Sequence, residues 1–580
     1  MNRPKPNRKY MPNEFTLNSR DDVKPFYEKF LSQNISDLYD LEEFLYWVDE
    51  IDRYMWEEFA VRYIANSCDT VDENIKSRYI YFVTNVMPEW TKISNQINKK
   101  TIENEDLVNQ LISKDDRYGI FFRNLRNNLA MYREENISLN TQDTELADKY
   151  WEITSLQTVN FDGQENMPLS KLSTYFESPD ESIRKSARKL YRSRKMQDND
   201  SMLDIMSQMV PLRQQIAKNA WFDNFVPYMF QAKNRFDYSQ TDVDNFHHTA
   251  ETVIKPIING IYLQKAKLMG KDKLRPRDLK FDPLGSQPLK PYNNSKELVD
   301  KTVEILTWLD PAFGKNLQYM YDNKFMDLDA RIGKQNGWYN YPLEETGAAF
   351  IFMNSNNTQR DLETMVHEAG HAMHGFVMKE VWLDFSGFTT YPSELAEVAS
   401  MSMELFTAEK RNNFYPDHQE YIRARINHLE WIIETLSHVA AVDNLQKNIY
   451  ISNIIWPNLN KLAKDVYIKY KYDDSVIDWI GYEDYQSIQR HRQLHIFEVP
   501  FYYIEYAIAQ LWAIAMRKNY LENPAQWIAN YKAFLSSGGI KTIPETFAAG
   551  GIKFDMSSEY ISELMVFVWD KLKWYYSELV

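Results

Sequence analysis

The chain has 580 residues, more than a single compact core usually covers, so we expect two lobes. Apolar residues make up 44% of it, which excludes an intrinsically disordered chain. No apolar run approaches the ~18 residues that a membrane-spanning helix needs. The formal net charge of -15 argues against nucleic acid and anionic membranes as partners.

The single cysteine, Cys68, excludes an internal disulfide and fits a reducing compartment. The first residues carry charge but no apolar stretch typical of a secretory signal, so we expect a cytoplasmic location. Any metal ion in this protein must then be held by histidine and carboxylate side chains. The sequence does not determine the oligomeric state.

Most of the chain has apolar residues at helical spacing. Residues 1 to about 20 are polar and contain proline, which predicts a loose arm. The pattern then predicts helices over residues 37–65, 72–100, 104–114, 142–160, 179–220 and 239–268. Residues 271–296 carry four prolines and are predicted to form a connecting loop.

Residues 315–354 interrupt the helical pattern. Leu317–Leu328 and Gly347–Met353 are rich in apolar and aromatic side chains and predict short strands of a small sheet. Such a sheet could bind a peptide backbone as an added strand, or only pack under the next helix, and the sequence favours neither. Further helices are predicted near residues 393–412, 415–450, 458–473, 500–520, 523–536 and 557–577.

The helix predicted after this sheet contains His367-Glu368-x-x-His371. Two histidines four residues apart on a helix lie about 40° from each other and one turn apart, so both imidazoles can reach one metal ion. The intervening glutamate is then close enough to polarise a water molecule on that ion. Thr358 and Asp361 provide an N-cap and a first-turn acid for this helix.

If the metal ion held by these histidines is catalytic zinc, it needs a third protein ligand and an open position for water. The nearest acidic residues lie on the next predicted helix, where spacing alone leaves Glu394 and Glu397 as alternatives. Glu404, Ser400 or a nearby carbonyl group is a candidate for the group that orients a ligand imidazole through its second nitrogen. His374 is two turns beyond His367, too far for both to bind one ion, and a structural role for it is slightly favoured.

A second unusual stretch follows near the C-terminus and contains His495, Tyr503 and Tyr506. Attack of water on an amide creates an oxyanion, which neutral imidazole or hydroxyl donors stabilise. The two tyrosines are three residues apart on a predicted helix, so both hydroxyls can face one point. Aromatic residues at helical spacing are also typical of a buried core, and this alternative stays open.

Together, the motifs around His367, Glu397 and His495 resemble the M3 family of zinc metallopeptidases, on its oligoendopeptidase F side. The resemblance covers roughly residues 200–575. It implies one Zn2+ ion per chain, held by His367, His371 and Glu397. It also implies oxyanion stabilisation by His495 with Tyr503 and Tyr506, although Tyr502 remains possible.

The resemblance further implies a mainly α fold, with two helical lobes flanking a deep substrate channel and a small β-sheet beside the zinc-binding helix. We place an N-terminal helical lobe at residues 1–200 and the catalytic domain at 201–580. The expected activity is hydrolysis of internal bonds in short unfolded peptides, with Glu368 activating the water molecule. A carboxypeptidase that trims single residues and a non-catalytic peptide-binding scaffold are the alternatives.

Overall fold

The computed structural model describes residues 1–4, 7–331, 333–335, 337–382, 385–452, 458–471, 474–483 and 493–579. Helices account for most of these residues, which confirms the predicted mainly α fold. Over the described part of the chain, the structure contains no helix that is both long and apolar enough to cross a membrane.

Contacts between Cα atoms divide the chain into two compact units, each assembled from three segments. Unit 1 comprises Met1–Tyr132, Lys290–Tyr415 and Trp512–Phe554, and unit 2 comprises Arg133–Leu289, Pro416–Leu511 and Asp555–Val580. The boundary predicted near residue 200 lies inside unit 2, and a division of the chain into two domains at that residue stays a prediction. The substrate channel implied by the resemblance also stays a prediction.

The described residues of the first segment of unit 1 form six α-helices. They are α1 (Lys24–Ser32), α2 (Leu38–Cys68), α3 (Glu73–Tyr81), α4 (Met87–Ile102), α5 (Glu105–Lys114) and α6 (Tyr118–Met131). Short polar side chains cap three of them, since Asp37, Asp72 and Asn104 accept hydrogen bonds from first-turn N–H groups. A π-helical turn, Phe82–Val86, joins α3 to α4 within the helix predicted over residues 72–100.

The N-terminal arm is attached to unit 1, so the prediction of a loose arm is wrong. The backbone N–H groups of residues 9–11 all donate to the carboxylate of Glu50 on α2, at 2.7–2.9 Å. Arg8 forms two hydrogen bonds to Glu345, at 2.5 and 2.9 Å. Composition showed that the arm is polar but could not show these partners, because they are distant in sequence.

The first segment of unit 2 contains seven helices and a hairpin. They are α7 (Glu135–Ser155), β1 (Thr158–Phe161), β2 (Gln164–Pro168), α8 (Leu169–Leu172), α9 (Glu181–Gln197), α10 (Asn199–Asn219), α11 (Phe225–Ala232), α12 (Gln240–Thr249) and α13 (Lys255–Leu268). The strands β1 and β2 pair antiparallel. The helix predicted over residues 142–160 therefore extends too far, because its last residues belong to this hairpin.

The second segment of unit 1 builds a three-stranded sheet under a helix. Its first elements are α14 (Ser295–Leu309), α15 (Pro311–Asp322), β3 (Met326–Asp329), β4 (Tyr339–Leu343) and β5 (Ala348–Ser355). The central strand β5 pairs parallel with β3 and antiparallel with β4. The strand predicted over Leu317–Leu328 is wrong in its first half, because Phe313, Leu317 and Met320 have helical spacing and are buried in α15.

The remaining elements complete both units. They are α16 (Gln359–Trp382), α17 (Ser393–Thr407), α18 (His418–Ile451), α19 (Leu459–Tyr470), α20 (Leu494–Phe497), α21 (Tyr503–Glu522), α22 (Trp527–Ser536), α23 (Ile543–Ala549) and α24 (Ser558–Leu579). Each helix predicted after residue 390 is confirmed to within a few residues at either end, except that residues 472–473 of one prediction lie outside the described residues.

Candidate active site

The His-Glu-x-x-His motif lies near the middle of α16, and three residues separate this helix from the central strand β5. The predicted N-cap is present, since Thr358 Oγ1 accepts a hydrogen bond from the Asp361 N–H group at 3.2 Å, and the Asp361 carboxylate accepts from Thr358 N at 2.8 Å. A stripe of buried apolar residues fixes the rotation of the helix: Leu362, Met365, Val366, Ala369, Ala372 and Met373. The rings of His367 and His371 are neighbours on α16, with centroids 4.9 Å apart.

Helix α17 packs closely against α16 at Gly370, one of the two variable positions of the motif. A Cβ atom at this position would lie 2.6 Å from Ser400 Cα and 3.1 Å from the Ala399 carbonyl oxygen. The absence of a side chain therefore permits this separation of the two backbones. The close approach places Glu397, which is buried on α17, beside the histidines of α16.

Three side chains converge to form a donor group. Glu397 Oε2 lies 3.2 Å from His367 Nε2 and 3.6 Å from His371 Nε2. One nitrogen or oxygen atom from each residue lies within 4.8 Å of the others. Glu394, the alternative that sequence left open, is buried on the same helix but is outside this donor group.

The donor group fits a divalent metal ion. Two imidazoles and one carboxylate are a typical ligand set of catalytic zinc, which leaves a fourth position open. Glu404 Oε1 lies 2.7 Å from His367 Nδ1, the nitrogen that faces away from Glu397. This carboxylate–histidine arrangement orients a metal-binding imidazole and raises its basicity. Ser400 Oγ donates to the Glu397 carboxylate at 3.3 Å and thereby helps to orient it.

The two histidines have opposite electrostatic surroundings. Burial disfavours protonation of His367, but hydrogen bonds to Glu397 and Glu404 outweigh it and raise the pKa of His367 to about 10. Burial lowers the pKa of His371 to about 4, which keeps this imidazole neutral and able to donate a lone pair. The site thus stabilises positive charge between two carboxylates, as a metal-binding site requires.

Glu368 is 2% exposed and lies between the two histidines in the sequence. The pKa of Glu368 is raised to about 7, chiefly by burial; the charge of His367 opposes this shift, and the carboxylates of Glu397 and Glu404 add to it. Among the described residues, none donates a hydrogen bond to the Glu368 carboxylate. On the sheet side, Asn340 Nδ2 of β4 donates to the Glu368 carbonyl oxygen at 3.2 Å, which ties this strand to the motif.

His374 is buried away from the donor group. It is 1% exposed, and its ring stacks on Tyr391 with centroids 4.2 Å apart. Burial lowers the pKa of His374 to about 3, so the ring is neutral. The structural role that the sequence favoured for His374 stays a prediction.

In unit 2, the structure brings His495 together with the tyrosines that follow it. His495 lies on the short helix α20, and its Nε2 atom is 3.3 Å from the Tyr506 hydroxyl. The rings of Tyr502 and Tyr503 lie 5.6 and 4.8 Å from the His495 ring, between centroids. All three tyrosines that the sequence left as candidates therefore surround one imidazole.

The tyrosine hydroxyls differ in their hydrogen bonds. The Tyr503 hydroxyl donates to Gln493 Oε1, and Gln493 Nε2 lies 2.6 Å from His438 Nε2. Tyr506 instead forms its hydrogen bond with His495. Sequence reasoning missed Gln493 and His438, because neither belongs to a motif and His438 lies on a helix 55 residues earlier in the chain.

A mainly helical chain with two motif histidines, an adjacent glutamate and a third carboxylate on the next helix has the features of the metallopeptidase class. A family model described as "Peptidase family M3" matches residues 174–566, more than half of the chain. The chain therefore belongs to peptidase family M3.

Curated relatives are similar at low identity. An oligoendopeptidase F homologue of Lactococcus lactis is 23% identical over 53% of this chain, and the match spans only 50% of that protein's length. An oligoendopeptidase F homologue of Borreliella burgdorferi is 21% identical over 82% of this chain and 79% of its own length.

Solved structures share the fold. A PZ peptidase A structure with a bound inhibitor superposes with a TM-score of 0.88 at 24% identity, over 97% of this chain and 98% of the other. A putative oligoendopeptidase F superposes with a TM-score of 0.87 at 23% identity, over 97% and 98%. At this identity the likeness shows the fold alone.

Proposed function

We propose that the protein is a zinc-dependent oligoendopeptidase that hydrolyses internal bonds of short unfolded peptides. The observation that carries this proposal is the convergence of His367, His371 and Glu397 within 4.8 Å, directly beside Glu368. Membership of peptidase family M3 and the names of the bacterial relatives support the peptide substrate class. A cytoplasmic location, expected from the single cysteine Cys68, belongs to the same proposal.

His367, His371 and Glu397 would hold one Zn2+ ion, with Glu404 orienting His367 from behind. When bound, the ion supplies Lewis-acid chemistry, which polarises a peptide carbonyl and eases the deprotonation of water. Glu368 takes the proton from the attacking water molecule and passes it to the leaving amine. Its carboxylate suits this role because it is buried and no described residue donates a hydrogen bond to it.

We assign hydrogen-bond donation to the tetrahedral oxyanion to His495, Tyr503 and Tyr506. Support comes from their clustering around one imidazole in unit 2. To donate to the oxyanion, Tyr503 would have to give up its hydrogen bond to Gln493. Tyr506 would likewise have to give up its hydrogen bond with His495.

The test is cleavage of an internally quenched peptide of about ten residues with both ends blocked. We expect internal cleavage that a chelator abolishes and that added zinc restores. Cleavage only of peptides with a free C-terminus would favour a carboxypeptidase instead. Bound zinc without cleavage of either peptide would favour a peptide-binding scaffold.

A further inference from the structure

The backbone conformation of the segment that carries His495 is unfavourable in isolation. Helix α20 has only four residues, Leu494–Phe497, and so short a helix is unstable in isolation. Phe501, in the turn that follows, has a φ of +61°, a left-handed conformation that costs a residue with a side chain about 1–2 kcal/mol. Contacts from elsewhere in unit 2 must therefore stabilise this segment.

Arg213 supplies the main contact. It lies on α10 and is 0% exposed. Its Nη1 atom donates to the Ile496 carbonyl oxygen at 2.8 Å, and its Nη2 atom donates to the Phe497 carbonyl oxygen. These are the last two carbonyl groups of α20, and the N–H groups of the next two residues donate instead to the carbonyl oxygens of Leu494 and His495. Arg213 thus binds acceptors that the short helix leaves unsatisfied.

Other polar groups hold the Arg213 guanidinium in a fixed orientation. Its Nε atom donates to both carboxylate oxygens of Asp143, at 2.9 and 3.1 Å, which neutralises the buried charge. Its Nη1 atom also donates to the Tyr450 hydroxyl at 3.1 Å. A lysine at this position has one charged nitrogen and cannot satisfy acceptors in these several directions.

The far end of the segment is held in the same way. Arg235, which is buried, donates to the Phe501 carbonyl oxygen at 2.5 Å and to Glu505 at 2.7 Å. The Phe501 N–H group donates to Gln446 Oε1 at 2.9 Å. Both backbone polar groups of the left-handed residue are therefore satisfied by buried side chains.

We propose that Arg213 is a positioning residue that holds His495 against the Tyr506 hydroxyl through the backbone of α20. This inference rests on the proposed role of His495 in the reaction. Arg213 contacts the backbone immediately after His495, so displacement of the guanidinium displaces the imidazole. Because the role proposed for His495 is donation to the oxyanion of the transition state, we expect the consequence to fall on kcat more than on KM.

The test is Arg213→Lys, assayed on the blocked peptide and combined with His495→Ala in a double-mutant cycle. We expect Arg213→Lys to lower kcat by roughly 10- to 100-fold with KM within threefold, because transition-state donors are misplaced. In the His495→Ala background, the same substitution should cost less than threefold, since the residue through which it acts is gone.

Arg184 on α9 provides a matched control. It is also buried, at 2% exposure, and its Nη1 atom donates to the carbonyl oxygens of Ser178 and Pro179, at 2.7 and 2.9 Å. Arg184→Lys should lower the thermal midpoint about as much as Arg213→Lys while leaving kcat within twofold. Equal loss of kcat in both variants would overturn the inference, because it would show a general effect of destabilisation.

The outcomes separate the inference from the proposed function. Full turnover by His495→Ala would overturn both the role of His495 and the role of Arg213. If His495→Ala lowers kcat and Arg213→Lys still lowers kcat by its full factor in that background, only the role of Arg213 is overturned.

If Arg213→Lys does not fold, Tyr450→Phe serves in its place, because it removes one hydrogen-bond partner of the guanidinium. We expect Tyr450→Phe to lower kcat several-fold in the otherwise unaltered protein and to have no such effect in the His495→Ala background. The same loss of kcat in both backgrounds would overturn the inference.

Discussion

At the scale of single residues, the side chains that we propose as metal ligands differ in their hydrogen bonds from the side chain that we propose as the general base. The His367 imidazole lies within hydrogen-bond distance of the Glu397 carboxylate. Glu404 orients His367, and Ser400 orients Glu397. Glu368, one residue along α16, makes no such contact within the described structure. A carboxylate held in place by its helix but free of hydrogen bonds is able to exchange a proton during a reaction.

Glu368→Gln should lower kcat by roughly 10²- to 10⁴-fold, because the amide keeps the shape of the side chain but cannot accept the proton. The zinc content of the purified variant, measured by atomic absorption, should match the unaltered protein. Glu380 is exposed near the end of the same helix, so Glu380→Gln serves as the control with unchanged kcat. Near-normal turnover of Glu368→Gln would exclude Glu368 as the general base.

The alternatives Glu394 and Glu397 can be separated by metal affinity. Glu397→Ala removes an atom that lies 3.2 Å from His367 Nε2, and we expect zinc affinity to fall by at least about 100-fold. Glu394→Ala alters a buried side chain of the same helix, and we expect its zinc affinity to stay within about threefold. Competition with a chromophoric chelator measures both. A larger loss in Glu394→Ala would assign the third ligand to Glu394.

At the scale of secondary-structure elements, the site depends on the distance between two helices. The histidines belong to α16 and the carboxylates to α17, so their spacing follows from helix packing. Gly370 sets that spacing, because its Cα faces the backbone of α17 at Ala399 and Ser400. From the other side, the Tyr531 hydroxyl of α22 donates to the Ala399 carbonyl oxygen at 2.7 Å and holds α17 in place.

Gly370→Ala should separate α16 from α17 and weaken zinc binding by at least about tenfold. The added methyl group would lie 2.6 Å from Ser400 Cα, and overpacking of this kind typically costs about 1–3 kcal/mol. Zinc affinity and the thermal midpoint measure the two effects.

Gly375 is the matched control for Gly370, since it lies on the same helix and a Cβ atom there would meet nothing within 4 Å. Gly375→Ala should stabilise α16 by roughly 0.5–1 kcal/mol, because alanine loses less backbone entropy in a helix. Its zinc affinity should not change. An equal loss of zinc affinity in both variants would contradict the packing argument.

At the scale of the whole molecule, an ionisable group outside the candidate site makes stability depend on pH. Asp52 on α2 accepts a hydrogen bond from Trp90 Nε1 at 3.2 Å. Burial raises the pKa of Asp52 to about 7, the Trp90 hydrogen bond opposes this, and Asp49 adds to it. Between about pH 4 and pH 7, the unfolded chain releases this proton while the folded chain retains it. The free energy of unfolding therefore falls as pH rises through that window.

Asp52→Asn should remove this fall in the free energy of unfolding with pH, because the amide keeps an acceptor for Trp90 and carries no charge. Relative to the unaltered protein, we expect the variant to gain roughly 4 kcal/mol of stability between pH 4 and pH 8. Thermal midpoints measured across this range test the difference. Asp106→Asn, at an exposed position of α5, should show no such trend. If the difference in stability between Asp52→Asn and the unaltered protein does not change with pH, Asp52 is not the source of the pH dependence.

Much of the fold could be predicted from the sequence, because helices arise from local spacing. The periodicity of apolar residues predicted most helices to within a few residues, and the capping pair Thr358 and Asp361 marked the start of α16. The spacing of His367 and His371 placed both imidazoles on one side of that helix. Local patterns gave the wrong secondary structure for short segments at the junction of two elements, as in the β1–β2 hairpin and in α15.

Long-range choices required the tertiary structure. Sequence spacing left Glu394 and Glu397 open, and the packing of α17 at Gly370 brought Glu397 to the histidines. The contacts of Glu50 with the N-terminal arm and of Arg213 with α20 join residues far apart in the chain. Sequence by itself therefore determined which chemical groups the protein carries and which helices present them. Tertiary structure decided which groups meet, because distances between remote residues depend on the packing of whole elements.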